Sequence, residues 1–165
     1  MDITIREASM EDSYAITAIL RGLGWSEHMT DEAFSTTQAE IAERLESSLN
    51  EQTHTILVAE KQLPDGHSRQ VVGYVSVHWY AHLMRGSDGY VSELFVHPDM
   101  TGHGVGGRLL SVIEMSARKR GCSRLLLMNR RIRESYARKF YEKHGWEEIG
   151  DAAFFSRILS ATPSR

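Results

Sequence analysis

Four glycines fall within six residues in Gly102-His103-Gly104-Val105-Gly106-Gly107, between a β-rich run and a helical one. Without side chains there, the main chain can approach a ligand closely. The unpaired N–H groups at a helix start can then hold phosphate oxygens. The segment reads as an anion cradle rather than a bare connection. Gly102, Gly104 and Gly107 match the G-x-G-x-x-G spacing of dinucleotide-binding turns by count. Position argues against that ligand. The loop follows roughly the fourth strand instead of opening a βαβ unit. The next strand, Arg124 to Met128, runs into Asn129-Arg130-Arg131 with no acidic residue to hold a ribose. A Walker loop also fails, because Arg108 stands where Lys and Ser/Thr would complete it.

Three further side chains have chemistry of their own. His78 and His82 share one face of an apparent strand, but no third residue has metal-ligand spacing, so no metal is expected. With Trp79 and Tyr80, His78 is expected to line a ligand pocket or the sheet. Cys122 is the only cysteine, which excludes an intramolecular disulfide. It follows Gly121 with no histidine motif nearby, and reads as structural rather than nucleophilic.

The elements that must position these residues follow from periodicity. Ile3 and Ile5 alternate with polar neighbours, as in a strand. Ser9 and Asp12 give a capping-box pattern before Ile16, Ile19, Leu20 and Leu23, which predict a helix to about Gly24. A second helix is expected from Thr30, with Phe34, Ile41, Ala42, Leu45 and Leu49 inward. Thr55 to Glu60 and Val71 to Tyr80, joined across Pro64-Asp65-Gly66, read as a hairpin. Tyr90 to Val96 is a further strand ending at His97-Pro98. Val105, Leu109, Val112 and Ile113 then predict a helix to roughly Arg120, stopped by Gly121. After the strand at Arg124 to Met128, a helix carrying Ala137, Phe140, Tyr141 and His144 on one face is expected to end at Gly145. A last strand is expected over about Phe154 to Leu159. The order β-α-α-β-β-β-α-β-α-β predicts one mixed α/β domain spanning residues 1–165.

Composition is that of a globular chain: 165 residues, 41% hydrophobic and 25% charged. No apolar run approaches bilayer length, and Met1 to Arg6 lacks a basic flank followed by an apolar stretch. Neither a membrane partner nor a signal peptide is expected, and a cytoplasmic location is the default. The net charge of −3 is unevenly spread. Residues 1–60 hold 12 acidic and 3 basic side chains, whereas residues 108–143 hold 11 basic and 3 acidic ones. One stretch favours cations and the other anions. The basic stretch carries no nucleic-acid motif, so no nucleic-acid partner is expected.

Taken together, these motifs resemble the GNAT acetyltransferases over nearly the whole chain. Ile5-Arg6-Glu7-Ala8 with Glu11-Asp12 is similar to their opening, and Leu94-Phe95-Val96-His97-Pro98 to their fourth strand. Thr101 to Gly106 sits on their Q/R-x-x-G-x-G/A pyrophosphate loop. Ala137, Phe140, Tyr141, Gly145 and Trp146 fit their A-x-x-x-Y-x-x-x-G-F/W segment. Two positions depart from the pattern. Thr101 stands where Gln or Arg is usual, and Glu134 where many members have an Asn that touches the cofactor.

The resemblance implies a mostly antiparallel central sheet flanked by helices, with strands 4 and 5 splayed apart. Acetyl-CoA would be the acyl donor, its pantetheine lying along Leu94, Phe95 and Val96. Its pyrophosphate would rest on Thr101, Gly102, His103, Gly104, Val105, Gly106 and Gly107. Glu134 and Ala137 would complete the cofactor side. The reaction implied is acetyl transfer to a primary amine, with Tyr141 protonating the departing thiolate. Glu93, on the strand that floors the cleft, would be the base, acting through water; direct attack by an already neutral amine is the alternative. Trp25, Glu27 and His28 are implied acceptor contacts, joined by His78 and Tyr80. The acidic residues 1–60 suit a small cationic amine. A protein N-terminus or lysine as acceptor, or a non-catalytic acyl-CoA sensor, are the competing readings. Homodimers are common in the family.

Overall fold

The computed structural model describes residues 2–24, 27–157 and 159, and for His28 the backbone alone. The chain divides into two compact units, residues 1–128 and 129–165. The first unit holds five strands: β1 (Ile3–Glu7), β2 (His54–Gln62), β3 (Arg69–Ala81), β4 (Ser87–Val96) and β5 (Arg124–Leu127). They lie side by side in sequence order. β1 to β4 are antiparallel, and β5 runs parallel to β4 after a helical crossover. Among the described residues four α-helices complete the unit: α1 (Ser13–Gly22), α2 (Glu27–Asp31), α3 (Phe34–Leu49) and α4 (Val105–Lys119).

Period-2 alternation divides the sheet between two layers. Ile56, Val58 and Tyr74 face α1 and α3, where they meet Ile16, Ile19, Leu20, Ile41 and Leu45. Their alternates Leu57, Ala59, Val75 and Val77 are buried on the opposite face, the one left for α4, whose Leu109, Leu110 and Ile113 are equally inaccessible. The predicted turn forms as read: Asp65 accepts the amides of His67 and Ser68, and Gly66 has φ +72°. Asp12 reaches back to the Ser9 amide, 2.8 Å, and carries two hydrogen bonds from Arg6. Arg6 also binds Glu60, so β1, β2 and the entry to α1 are tied together.

Two irregularities in β4 coincide. Its parallel pairing with β5 stops at Val91↔Leu127. Its antiparallel register with β3 shifts between Ser76↔Glu93 and Val77↔Val91, leaving Ser92 as an extra residue, a β-bulge. Beyond that point, among the described residues, β4 has β3 on one side and no strand on the other, which is the expected splay.

Three expectations change. The helix expected from Thr30 is two: α2 already covers Glu27 to Asp31, and α3 starts at Phe34 because Ala33 takes an extended ψ of 143°. The second unit has no continuous helix to Gly145. It forms α5 (Glu134–Ala137), closed by Lys139 at φ 53°, then a 3-10 turn (Glu142–His144) ended by Gly145 at φ 82°. Phe140 N–H bonds Ser135 O and Lys139 N–H bonds Tyr136 O, the paired closure of a helix C-terminus. Among the described residues the final strand is not seen: residues 152–157 and 159 belong to no ladder. A strand needs a hydrogen-bonding neighbour as well as an apolar pattern.

Candidate active site

The bulge at Ser92 turns a stretch of β4 toward the layer of α1 and α3. A cavity of about 460 Å³ lies there. β2 and β3 supply His54, Ile56, Tyr74, Ser76 and His78 to its wall, and β4 supplies Ser92, Glu93 and Phe95. The helices close it with Ile16, Leu20, Met29 and Ile41, plus the polar heads of Arg44 and Ser48.

Two polar groupings occupy this wall. The buried Tyr74 phenol donates to Glu93 Oε2 at 2.8 Å. Burial, and then the Glu93 charge, push the phenol well above its usual range, so it stays a donor. The second grouping is centred on His54. Its ring stacks on that of His78 with centroids 3.9 Å apart, and its Nε2 is 2.7 Å from Ser76 Oγ. Ser92 donates to Ser76 Oγ at 3.0 Å. Burial, and then the neighbouring His78, hold the His54 imidazole below its ordinary value, and only the charge of Glu51 opposes them.

At the far end of β4 the chain enters the glycine loop. His97 Nδ1 accepts the Asp99 amide, opening a 3-10 turn over Pro98–Met100. Gly102 and Gly104 then take φ of +82° and +78°, the left-handed conformation that only glycine adopts cheaply. Arg108 N–H to Gly104 O, 3.1 Å, is the first i→i−4 bond of α4. The amides of Val105, Gly106 and Gly107 therefore precede the helical ladder. The space beside Gly102 and Gly104 is open, with nothing within 4 Å of an added Cβ. His97 N–H bonds Val72 O on the β3 side. By alternation, Leu94 and Val96 direct their amides and carbonyls to the splayed side, where β4 lacks a strand partner. These features fit a ligand with an extended amide-bearing arm and a pyrophosphate.

The structure thus brings Glu93, Leu94, Phe95, Val96 and residues 101–107 onto one strand–loop–helix segment, and puts His78 in the cavity wall. Thr101 closes the 3-10 turn, and its carbonyl is bonded by His103 Nδ1 at 3.1 Å. Tyr80, one pleat beyond His78, meets His82 edge-on instead. Glu27 is exposed on α2, outside the cavity lining. Trp25 and the His28 side chain lie outside the described residues. His82 is held by the buried Asp88, which also binds Arg85, Arg124 and Ser123. Burial raises the Cys122 thiol.

In the second unit, Tyr141 contacts Phe140 and Trp146 edge-on, and burial pushes its phenol up to about 12. Glu134 and Ala137 are the ends of α5, and the Glu134 carboxylate lies 3.9 Å from Arg138.

Tyr74, His54, Ser76, Ser92 and Arg44 were not anticipated. Tyr74 and Ser76 carry a signal, since they precede His78 at intervals of two. His54 does not. Counting back from the Gln62↔Arg69 pair places His54 opposite Val77, and only a bulge beyond Glu60↔Val71 brings it opposite His78.

Comparison with known proteins agrees with this geometry. Residues 20–146 match the acetyltransferase (GNAT) family. The chain is 32% identical over 129 residues to aminoalkylphosphonate N-acetyltransferase from Salmonella typhimurium, covering 73% of this chain and 83% of that one. It is 27% identical over 154 residues to thialysine N-epsilon-acetyltransferase from Bos taurus, covering 87% and 89%. Among solved structures, glucosamine-6-phosphate N-acetyltransferase from Arabidopsis thaliana superposes with a TM-score of 0.74 at 20% identity, over 96% of this chain and 99% of the other. At that identity the likeness speaks for the fold.

Proposed function

The chain belongs to the acetyltransferase (GNAT) family, and from that premise we propose that it transfers an acetyl group from acetyl-CoA to the primary amine of a small molecule. The observation that carries this reading is the continuity of one segment. β4 passes from the cavity carboxylate of Glu93, through the strand-free edge of Leu94 and Val96, to the glycine cradle before α4.

In this reading the main chain of Leu94 and Val96 pairs with the pantetheine arm, and the amides of Gly102 and residues 104–107 hold the pyrophosphate, the His103 amide being turned to Met100 O. Bound acetyl-CoA supplies the activated thioester. The chain's residues supply the rest. An alkylammonium titrates near ~10 and must lose a proton before it can attack. Glu93, fixed by Tyr74, attracts the ammonium and accepts that proton through a water. The Val96 amide, on the open edge, is positioned to donate to the tetrahedral oxyanion. Tyr141 is the proton donor to the departing thiolate. This role rests on its place in the Ala137-x-x-x-Tyr141-x-x-x-Gly145 motif and on a phenol that stays protonated across the working pH range.

A cavity of this volume enclosed by helices on one side suits a small acceptor better than a polypeptide. The names of the two relatives, both N-acetyltransferases of small amines, support the same class. Thiol release from acetyl-CoA would be measured against aminoalkylphosphonates, thialysine and other amino acids, polyamines, aminoglycosides and peptides, for the wild type and Tyr141→Phe. Turnover on one small-amine class, with kcat lowered ~10²-fold or more in the variant, is expected. Turnover confined to peptides would overturn the small-acceptor reading, and undiminished turnover in the variant would remove Tyr141 as the acid.

A further inference from the structure

The nitrogen that attacks a thioester gives up two protons before the amide is formed: one on becoming a free amine, and one after attack, when the adduct's nitrogen is positively charged. Glu93 is the acceptor for the first. The second needs another outlet, because Glu93 already carries the first and a proton left on the nitrogen favours its expulsion.

An unused chain of hydrogen bonds starts beside Glu93. Ser92, pushed out of register by the bulge, lines the cavity and donates to Ser76 Oγ at 3.0 Å. With that oxygen already accepting, the Ser76 hydrogen is free for His54 Nε2, 2.7 Å away. His54 reads as the Nδ1–H tautomer, with Nε2 as acceptor. His78 stacks on its ring from β3. The charged groups around it are Glu51 just ahead of β2, Arg44 of α3 and Glu93 of β4; α1 offers only Ile16 and Leu20.

We propose that Ser92, Ser76 and His54 form a relay that removes the second proton from the acceptor nitrogen. This inference rests on the acetyl-transfer reading above. In the step, the N–H bond of the adduct breaks as Ser92 Oγ gains a hydrogen. Ser92 passes its own hydrogen to Ser76, and Ser76 passes its own to His54 Nε2. Three bonds to hydrogen break and three form, leaving a neutral nitrogen and a His54 imidazolium. The part-buried imidazolium releases its proton to solvent, and rotation of the two hydroxyls resets the chain. Ser92 is the catalytic member that touches substrate, whereas Ser76 and His54 act through it. Partial burial, and then His78, favour the neutral form of His54, the form that can receive a proton.

The test is the pH profile of kcat for the wild type, Ser76→Ala and His54→Gln with the best acceptor, together with the NMR titration of His54. The wild type should lose activity on the acid side, at a pH below the ordinary imidazole value, as His54 becomes protonated. Both variants should show kcat lowered ~10²-fold, KM for acetyl-CoA unchanged, and no acid limb. In Ser76→Ala the His54 resonance should still titrate, separating a broken relay from a lost fold. An acid limb that persists in both variants, or kcat within twofold of wild type, would overturn the relay while leaving the transferase reading intact. A wild type inactive on every acceptor would overturn that reading and the relay with it.

Discussion

Tyr74 is almost wholly buried, and its phenol has the Glu93 carboxylate for a partner. That fixes a difference between two substitutions of Glu93 that kinetics alone would not separate. Glu93→Ala removes the acceptor and strands a buried hydroxyl, which costs roughly 1–3 kcal/mol. Glu93→Gln keeps an oxygen there and removes only the charge. Chemical denaturation should show the alanine variant destabilised by about that amount and the glutamine variant within ~1 kcal/mol of wild type, while both lose activity. Equal stability of the two would mean the phenol finds another partner. At this scale the sequence was informative where a residue's role follows from its own strand. His78 was legible because it sits in an apolar run whose faces can be counted, and Glu93, expected on the strand that floors the cleft, lies in the cavity wall. His54 and Ser92 were not, because both owe their placement to bulges, and a bulge reverses the count without leaving a residue type that announces it.

Elements with a long apolar period were read correctly: α1, α4 and the β2–β3 hairpin formed within a few residues of their expected bounds. Short elements were not. α2 is five residues and α5 four, too few to show a helical period, and among the described residues of the expected last strand, 154–157 and 159, none belongs to a ladder. The β4–β5 pair shows how closely two elements can be committed to each other. A Cβ on Gly89 would stand 2.6 Å from Leu125 Cδ2 and 2.6 Å from Trp79 Cζ3, and Trp79 is pinned by its indole bond to Thr55. Gly89→Ala should therefore destabilise the protein by roughly 1–3 kcal/mol through overpacking. Hydrogen exchange should localise the loosening to β5. Uniform protection across β5 in the variant would show that the strands part without cost.

For the molecule as a whole, the acid limit of stability should reflect the cluster that joins β1, β2 and the start of α1. Burial alone would raise the Asp12 carboxyl, but the Arg6 and Ser9 hydrogen bonds outweigh it and hold it below its ordinary value. A carboxyl depressed in the folded state contributes stability that is fully present above its unfolded pKa, near ~3.9, and is lost as pH falls through the folded value. Asp12→Asn should lower stability at pH 7 and flatten its fall below about pH 4, measured by thermal melts across the acid range. A parallel downward shift of the whole curve would place the acid sensitivity elsewhere. The bulge at Ser92 has a consequence of another kind, for chain length rather than composition. Some segments can gain or lose a residue at little cost, such as the exposed Pro64–Gly66 turn. Between Val91 and Glu93 the loss of Ser92 would leave Val91↔Val77 and Glu93↔Ser76 as adjacent regular pairs, with Glu93 still on the cavity face and Leu94 and Val96 still on the open edge. Ser92 is thus the one residue of this stretch that β4 can lose without turning another side chain over.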